Sequence, residues 1–112
     1  MRRHVMILSV LICVIFSACA KNPVTGKRQL ALMSESQEIA MGQESHPEVL
    51  AQFGAVENAD LQQYCARIGN ELAKASHRPN LPWQFTIVDS PVVNAFAVPG
   101  GYVYLTRGIL EY

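Results

Sequence analysis

The chain has 112 residues, 50% of them hydrophobic, and its nine basic side chains balance nine acidic ones. This length leaves room for one domain at most. A neutral chain also gives no indication of a nucleic-acid partner, because the phosphates of a nucleic acid call for a basic surface. We therefore expect no nucleic-acid binding.

The N-terminus has the layout of a secretory signal peptide. A basic start, Met1 to His4, precedes an apolar run of 12 residues from Val5 to Phe16, whereas a membrane-spanning helix needs about 20. The two small residues directly before Cys19 resemble a bacterial lipobox, in which the signal is cut before the cysteine and the thiol carries lipid. We predict a lipoprotein signal peptide over residues 1–18 and a lipid on Cys19. An ordinary signal peptide cut at a neighbouring alanine, or an uncleaved anchor, is the alternative.

The residues around the lipidation site also bear on location. Ala20 stands where an aspartate would favour retention in the inner membrane, so we predict an outer-membrane lipoprotein of the bacterial cell envelope that faces the periplasm. Its contact with the membrane would be the lipid on Cys19. Cys13 would leave with the signal, so that Cys65 alone remains unmodified and no internal disulfide framework is expected.

A first helix is predicted to begin near Glu35. Ser34 with Gln37 three residues later forms a capping box, and Gly54 is a suitable end. Pro47 has no backbone donor and disfavours the helical conformation of the residue before it. We therefore expect a break or kink at Pro47.

A second helix is predicted between a cap at Asn58 or Asp60 and a stop at Pro79. Its apolar residues recur at steps of three and four, which is typical of a helix with one face on a core. This stripe consists of Leu61, Cys65, Ile68 and Leu72, with Tyr64 beside them. We interpret His77 and Arg78 as cations at the C-terminal end of the helix.

A small sheet is predicted after the helices. Trp83 to Ile87 alternates large apolar with polar residues, as a half-buried strand does. Two runs rich in aromatic and β-branched residues flank the Pro-Gly-Gly segment inside Asn94 to Thr106. They predict a β-hairpin with a type II turn over Val98 to Gly101 and a bulge at Gly101. A hairpin strand at a sheet edge can bind an extended peptide.

The predicted fold class is therefore α+β, with two helices followed by a small, mainly antiparallel sheet that contains the hairpin. Tyr102 and Tyr104, two residues apart, are expected to line one face of its second strand.

Few side chains can carry chemistry. The sequence contains no His-Glu-x-x-His, and none of His4, His46 and His77 has a second metal ligand three or four residues away on a helix. We assign no metal ligand and no catalytic residue, and we give the histidines structural roles. Cys65 falls on the apolar stripe, so we interpret it as a small buried hydrophobe rather than a nucleophile.

Several motifs, in one order, resemble the segment just upstream of the zinc motif in gluzincin metallopeptidases of the HtpX, Oma and BepA branch. These motifs are Asn94-Ala95-Phe96-Ala97, Pro99-Gly100-Gly101, Tyr102-Val103-Tyr104 and Arg107-Gly108-Ile109-Leu110. Other stretches that match are Asn22 to Gly26, Ser34 to Gly42, Tyr64 to Leu72 and Leu81 to Trp83. The likeness covers nearly all of the mature chain and is to bacterial periplasmic lipoproteins of that branch.

The resemblance implies a zinc endopeptidase, with zinc as cofactor and polypeptides as substrates. The zinc ligands and the catalytic glutamate of the family lie on a later helix and beyond it, so they correspond to no residue here. Only the substrate-aligning role can be carried over. It implies that Asn94, Ala95, Phe96 and Ala97 form the edge strand that pairs with extended substrate.

Two functions remain open. The first is the N-terminal part of a zinc metalloendopeptidase that cleaves proteins in the cell envelope, inactive alone. It would consist of a signal peptide (1–18), a polar, turn-rich tether (19–33) and an incomplete metallopeptidase domain (34–112). The second is a noncatalytic envelope lipoprotein that binds extended peptides by strand addition.

Overall fold

A computed structural model describes residues 19–21, 28–30 and 32–112 of the chain. The predicted signal peptide, residues 1–18, lies outside the described residues. No helix in the described ranges is long and apolar enough to cross a membrane.

The chain divides into two compact units, which are described separately. The first, Met1–Ser34, contains an antiparallel pair formed by β1 (Cys19–Lys21) and β2 (Arg28–Leu30). The second, Glu35–Tyr112, contains the remaining helices and strands. In chain order these are α1 (Glu35–Phe53), α2 (Ala59–Lys74), β3 (Gln84–Val88), β4 (Ala95–Val98), β5 (Tyr102–Thr106) and a short 3-10 helix (Arg107–Glu111).

The second unit has a three-stranded sheet in the order β3-β5-β4. β4 and β5 form the predicted hairpin, with Val98 opposite Tyr102. β3 pairs with β5 in parallel, with Gln84 opposite the same Tyr102. The sheet is therefore mixed, with one parallel and one antiparallel pair. Two helices followed by this small sheet confirm the predicted α+β class. The sheet differs from the mainly antiparallel one predicted, because β3 lies beside β5 rather than beside β4, the next strand in the chain.

The turn of the hairpin depends on glycine. Gly100 has a φ of 89° and Gly101 a φ of 94°, in the region that side chains rarely adopt. The positive φ at Gly100 agrees with the third position of a type II turn. The carbonyl of Gly101 also accepts a hydrogen bond of 2.8 Å from the Gln84 N–H, so the turn is tied to β3 as well.

The main core lies between α1 and one face of the sheet. Tyr102, Tyr104 and Thr106 alternate along β5 on this face and are buried, which confirms that the two tyrosines line one face of the strand. Val88 of β3 packs with the two tyrosines. Partly buried side chains of α1 and β4 cover this cluster: Val49, Phe53, Phe96 and Val98.

α1 continues through Pro47, so the predicted break is wrong. A proline inside a helix costs about 3 kcal/mol or more. Residues before and after the proline contact the sheet, and these contacts offset the cost. His46 Nδ1 lies 2.7 Å from the Tyr104 hydroxyl, and Val49 packs against the core. The predicted start at Glu35 is confirmed.

α2 begins after Asn58, whose Oδ1 accepts a hydrogen bond of 3.0 Å from the Leu61 N–H. Asn58 rather than Asp60 is therefore the cap. The helix approaches the sheet closely at Gly69, where a Cβ atom would lie 2.3 Å from the Phe85 ring. This close approach brings the small face of α2, rather than its large apolar side chains, onto the sheet.

The predicted apolar stripe of α2 faces the core only in part. Tyr64 is 56% exposed, Ile68 39% and Leu72 68%, so the expectation of a fully core-facing stripe is wrong for these three residues. The apolar residues of α2 do recur with helical periodicity, but the face that they form borders an open groove.

His77 and Arg78 lie beyond the end of α2, so their interpretation as helix-terminal cations is wrong. The Arg78 guanidinium donates to both carboxylate oxygens of Glu38, at 3.0 and 2.7 Å, and to Glu35 at 3.3 Å. The Gly100 N–H also donates to Glu38, at 3.3 Å. Glu38 thus joins the first turns of α1 to the hairpin turn and to the loop after α2.

Replacing Glu38 with glutamine should lower the free energy of unfolding by about 1 to 2 kcal/mol at neutral pH. The hydrogen bonds from Arg78 are the main cause that lowers the pKa of the Glu38 carboxyl, while burial opposes them in part. A lowered folded-state pKa means that the stabilisation is complete above the ordinary glutamate value of about 4.3 and is lost as the pH falls through the lower value.

Urea unfolding followed by the fluorescence of Trp83, the only tryptophan, measures this effect between neutral and acid pH. Wild type should lose stability in this acid range more steeply than Glu38→Gln. The matched control is Glu71→Gln, whose partner Lys74 forms an exposed ion pair. Equal effects of the two variants would contradict the joining role of Glu38.

Candidate peptide-binding edge

β4 is an edge strand of the three-stranded sheet. It pairs with β5 on one side, and no strand within residues 32–112 pairs with its other side. Its sequence, Ala-Phe-Ala-Val, has neither a charged residue nor a proline, which natural edge strands use against added strands. The outer side of β4 therefore offers its backbone groups to an extended chain.

The opposite edge of the sheet, β3, is covered near its end by a side chain that imitates a strand. Gln62 Oε1 accepts a hydrogen bond of 2.9 Å from the Ile87 N–H, and Gln62 Nε2 donates to the Ile87 carbonyl at 2.8 Å. Ala55 forms an antiparallel bridge with Val88 beside it. The two edges differ, and β4 is the more open one.

Hydrogen bonding alternates along β4. The Thr106 N–H donates to the Asn94 carbonyl at 3.0 Å, so these opposed residues form a closely bonded pair. Since every second residue of an antiparallel strand is bonded in this way, Phe96 directs its N–H and C=O toward β5. Ala95 and Ala97 direct theirs toward the open side. Their backbone groups are the ones that an added strand can reach.

The Thr106 side chain holds the segment that leads into β4. The Asn94 N–H donates to Thr106 Oγ1 at 3.0 Å, and the same hydroxyl lies 2.5 Å from the Val92 carbonyl. Thr106 is only 2% exposed. Two residues further on, the Gly108 N–H donates to the Ser90 carbonyl at 2.9 Å. The entry to β4 is thus fixed at Ser90, Val92 and Asn94.

Aromatic rings support β4 from the side of α1. The Phe96 ring centroid lies 5.1 Å from that of Tyr104 and 5.4 Å from that of Phe53. Burial, and to a smaller extent Tyr102, raises the pKa of Tyr104, so its hydroxyl stays protonated and can donate to His46 Nδ1. These contacts give His46 a structural role, as expected. They also show that the Phe96 ring packs on the side of α1, while its backbone N–H and C=O point toward β5.

An open apolar groove of about 370 Å³ lies along the other face of the sheet and reaches β4 at Ala95. α2 contributes one wall and the sheet contributes the floor. Residues that line it include Leu61, Ile68 and Leu72 of α2 and Phe85, Val103 and Leu105 of the sheet. Cys65 also lines the groove, and burial raises the pKa of its thiol. A raised pKa disfavours the thiolate that a nucleophile needs. Cys65 is half-buried, however, so the prediction that it is a buried residue is wrong, because the face of α2 on which it lies borders the groove.

No group of three or more histidine, cysteine, aspartate or glutamate side chains in the described part of the chain could hold a metal ion. The zinc that the resemblance implies therefore does not fit these residues, and they support no metal-dependent step.

The four residues predicted to align substrate are contiguous along the edge, with Asn94 just before β4 and Ala95, Phe96 and Ala97 inside it. The supporting residues were missed by sequence reasoning, because no motif marks them. Thr106 has the sequence signature of an ordinary β-branched strand residue, and Gln62 that of an ordinary polar helix residue.

Residues 59–112 match the model of peptidase family M48. The chain is 28% identical over 91 residues to the mitochondrial metalloendopeptidase OMA1 of Schizosaccharomyces pombe, a match that covers 79% of this chain and 27% of that protein. It is 31% identical over 90 residues to the beta-barrel assembly-enhancing protease of Yersinia pestis, covering 80% and 18%. With the mitochondrial metalloendopeptidase OMA1 of Danio rerio the identity is 24% over 106 residues, covering 86% and 22%.

The chain thus spans between 18% and 27% of the length of these relatives. The matched family segment contains α2, the whole sheet and the 3-10 helix. These matches support a relationship to the M48 metallopeptidases.

Proposed function

We infer that this chain is the N-terminal part of a metallopeptidase of family M48, and we propose that β4 aligns extended polypeptide substrates in it. The observation that carries the aligning role is the open edge of β4, where Ala95 and Ala97 turn their backbone groups away from β5. The family match and the three relatives support the metalloendopeptidase part of the proposal.

Substrate would bind by strand addition, in which main-chain hydrogen bonds give affinity for many sequences. Each such bond contributes about 1 kcal/mol net. Asn94 is exposed at the head of the strand, where its side-chain amide can add a donor and an acceptor. This mode of binding suits a peptidase that acts on extended segments of proteins in the cell envelope.

Zinc belongs to the proposed full enzyme rather than to the described residues, where no ligand group is found. When bound, zinc would activate the water that attacks the peptide bond. The residues of this chain would hold and orient the substrate backbone. We propose that the 112-residue chain by itself has no peptidase activity.

A noncatalytic lipoprotein that binds extended peptides is the second candidate. It is favoured by the fact that the open edge of β4 needs no metal-binding group in order to pair with a peptide. The two candidates share the binding mode and differ in whether zinc-dependent cleavage belongs to the protein.

A titration tests the shared binding mode. The full chain, labelled with ¹⁵N and purified in detergent, would be mixed with a short acetylated peptide of alternating threonine and valine. We expect the amide resonances of Ala95 and Ala97 to shift more than that of Phe96. A peptide methylated on every second backbone nitrogen is the matched control, and it should bind about tenfold more weakly.

Uniform small shifts, or equal binding of both peptides, would contradict strand addition. Incubation of the same sample with zinc and casein separates the two candidates. We expect no chelator-sensitive cleavage by the chain itself; cleavage would overturn the proposal that it is inactive alone. An open reading frame that continues in the gene into a His-Glu-x-x-His would favour the peptidase over the noncatalytic lipoprotein.

We further propose that the protein is an outer-membrane lipoprotein anchored through Cys19. The support is the lipobox-like sequence before Cys19 and the similarity to a protease of the bacterium Yersinia pestis, although two other relatives are mitochondrial. Cells fed a clickable fatty acid should label the protein, and Cys19→Ser should abolish the label. Labelling of the Cys19→Ser variant would contradict the assignment of the lipid to Cys19.

A further inference from the structure

We propose that Thr106 is the positioning residue of the peptide-binding edge, and that its hydroxyl fixes the direction in which Ala95 presents its backbone groups. The inference rests on the proposed role of β4. It assigns a function to a buried side chain that would not itself touch a peptide.

The hydrogen bonds at Asn94 depart from those of a regular antiparallel pair. In a regular pair the Asn94 N–H would donate to the Thr106 carbonyl, but here it donates to Thr106 Oγ1 at 3.0 Å. The return bond, from the Thr106 N–H to the Asn94 carbonyl, is the ordinary one at 3.0 Å. One side chain has therefore replaced one rung of the ladder, at the residue where β4 begins.

The same hydroxyl also sets the path of the chain before Asn94. Its oxygen lies 2.5 Å from the Val92 carbonyl and 2.8 Å from the Asn94 carbonyl, so its single proton is shared between two acceptors. Val92 itself is 63% exposed. An exposed entry segment is thus tied to a buried anchor. Without the hydroxyl, this segment would keep the main-chain bonds from Gly108 to Ser90 and from Thr106 to Asn94, but the Val92 carbonyl and the Asn94 N–H would lose their partner.

The consequence concerns Ala95, the first residue of β4 with outward backbone groups. The Ala95 N–H lies in the same peptide plane as the Asn94 carbonyl, which accepts from both the Thr106 hydroxyl and the Thr106 N–H. Without the hydroxyl, that plane would be held by the Thr106 N–H alone and would be freer to turn the Ala95 N–H away from the open side. A serine at position 106 keeps the hydroxyl, whereas a valine keeps the shape and loses it. Thr106→Val therefore measures the loss of the hydroxyl at nearly constant shape, and Thr106→Ser measures the loss of the methyl group with the hydroxyl kept.

Amide hydrogen exchange and peptide titration on the full chain in detergent test the proposal. We expect the Asn94 amide to be protected in wild type and to exchange at least tenfold faster in Thr106→Val. Affinity for the threonine–valine peptide should fall about tenfold in the same variant, and Thr106→Ser should restore both values to within about threefold. Tyr104→Phe, which removes another buried hydroxyl from β5, should leave Asn94 exchange unchanged.

Faster exchange with unchanged peptide affinity would reduce Thr106 to a structural role and overturn the proposal. An Asn94 amide that is unprotected in wild type would overturn it even if Thr106→Val does not fold. If wild type binds no peptide, the proposed function fails instead, and the exchange data alone then decide whether the hydroxyl fixes the strand entry.

Discussion

Replacing Gly42 with alanine should lower the free energy of unfolding by about 3 kcal/mol, although alanine favours helices over glycine by about 1 kcal/mol. Gly42 is buried inside α1, where the helix crosses the hairpin turn. A Cβ atom there would lie 2.1 Å from the Pro99 carbonyl oxygen and 2.6 Å from the Tyr102 ring. The oxygen belongs to the backbone, so it cannot move aside unless the turn moves with it.

The consequence would reach the peptide-binding edge, because the displaced turn connects β4 to β5 and is also held by Glu38. Urea unfolding followed by Trp83 fluorescence measures the change. The matched control is Gln43→Ala, an exposed neighbour on the same helix, which should leave the midpoint almost unchanged. A Gly42→Ala variant as stable as wild type, or more stable, would show that α1 does not lie so close to the turn.

Proline substitutions along β4 should separate the residues that hold the sheet from those that meet a peptide. Ala97→Pro removes an N–H that faces the open side, a position where edge strands tolerate proline. We expect folding to be nearly unaffected and affinity for the threonine–valine peptide to fall about tenfold. Phe96→Pro removes an N–H that bonds to β5, together with the ring packed on Tyr104. It should cost at least 3 kcal/mol of stability.

Two further variants sharpen this comparison. Ala97→Ser keeps the N–H and should bind the peptide as wild type does. Phe96→Ala keeps the backbone bond and loses only the ring, so it separates the two causes of instability at Phe96. If Ala97→Pro unfolds the chain while Phe96→Pro does not, the alternation along β4 is the reverse of the one inferred from the Asn94–Thr106 pair.

Much of the local structure could be predicted because its causes are local. Asn58 lies next to the N–H group that it caps, and the positive φ at Gly100 belongs to the turn that Pro99 begins. The hairpin followed from alternation and from this turn. The identity of the edge residues followed from resemblance. The structure then showed that the backbone groups of Phe96 face β5, whereas those of its alanine neighbours face the open side.

Other features could not be predicted, because their partners lie far away in the chain. Pro47 remains inside a helix because His46 meets Tyr104, which is 58 positions later. Arg78 meets Glu38, 40 positions earlier, so its charge serves α1 rather than α2. The periodicity or spacing of residues within one segment carries no information about which distant residue will be its partner.

By itself, then, the sequence determined the two helices, the hairpin and the absence of a His-Glu-x-x-His motif from these 112 residues. The tertiary structure alone decided how far each sheet edge is covered and which residues of β4 face outward. The physical reason is that an edge becomes available only when nothing else satisfies its backbone groups. Here the Gln62 side chain covers part of β3, while the described residues leave the outer side of β4 unpaired.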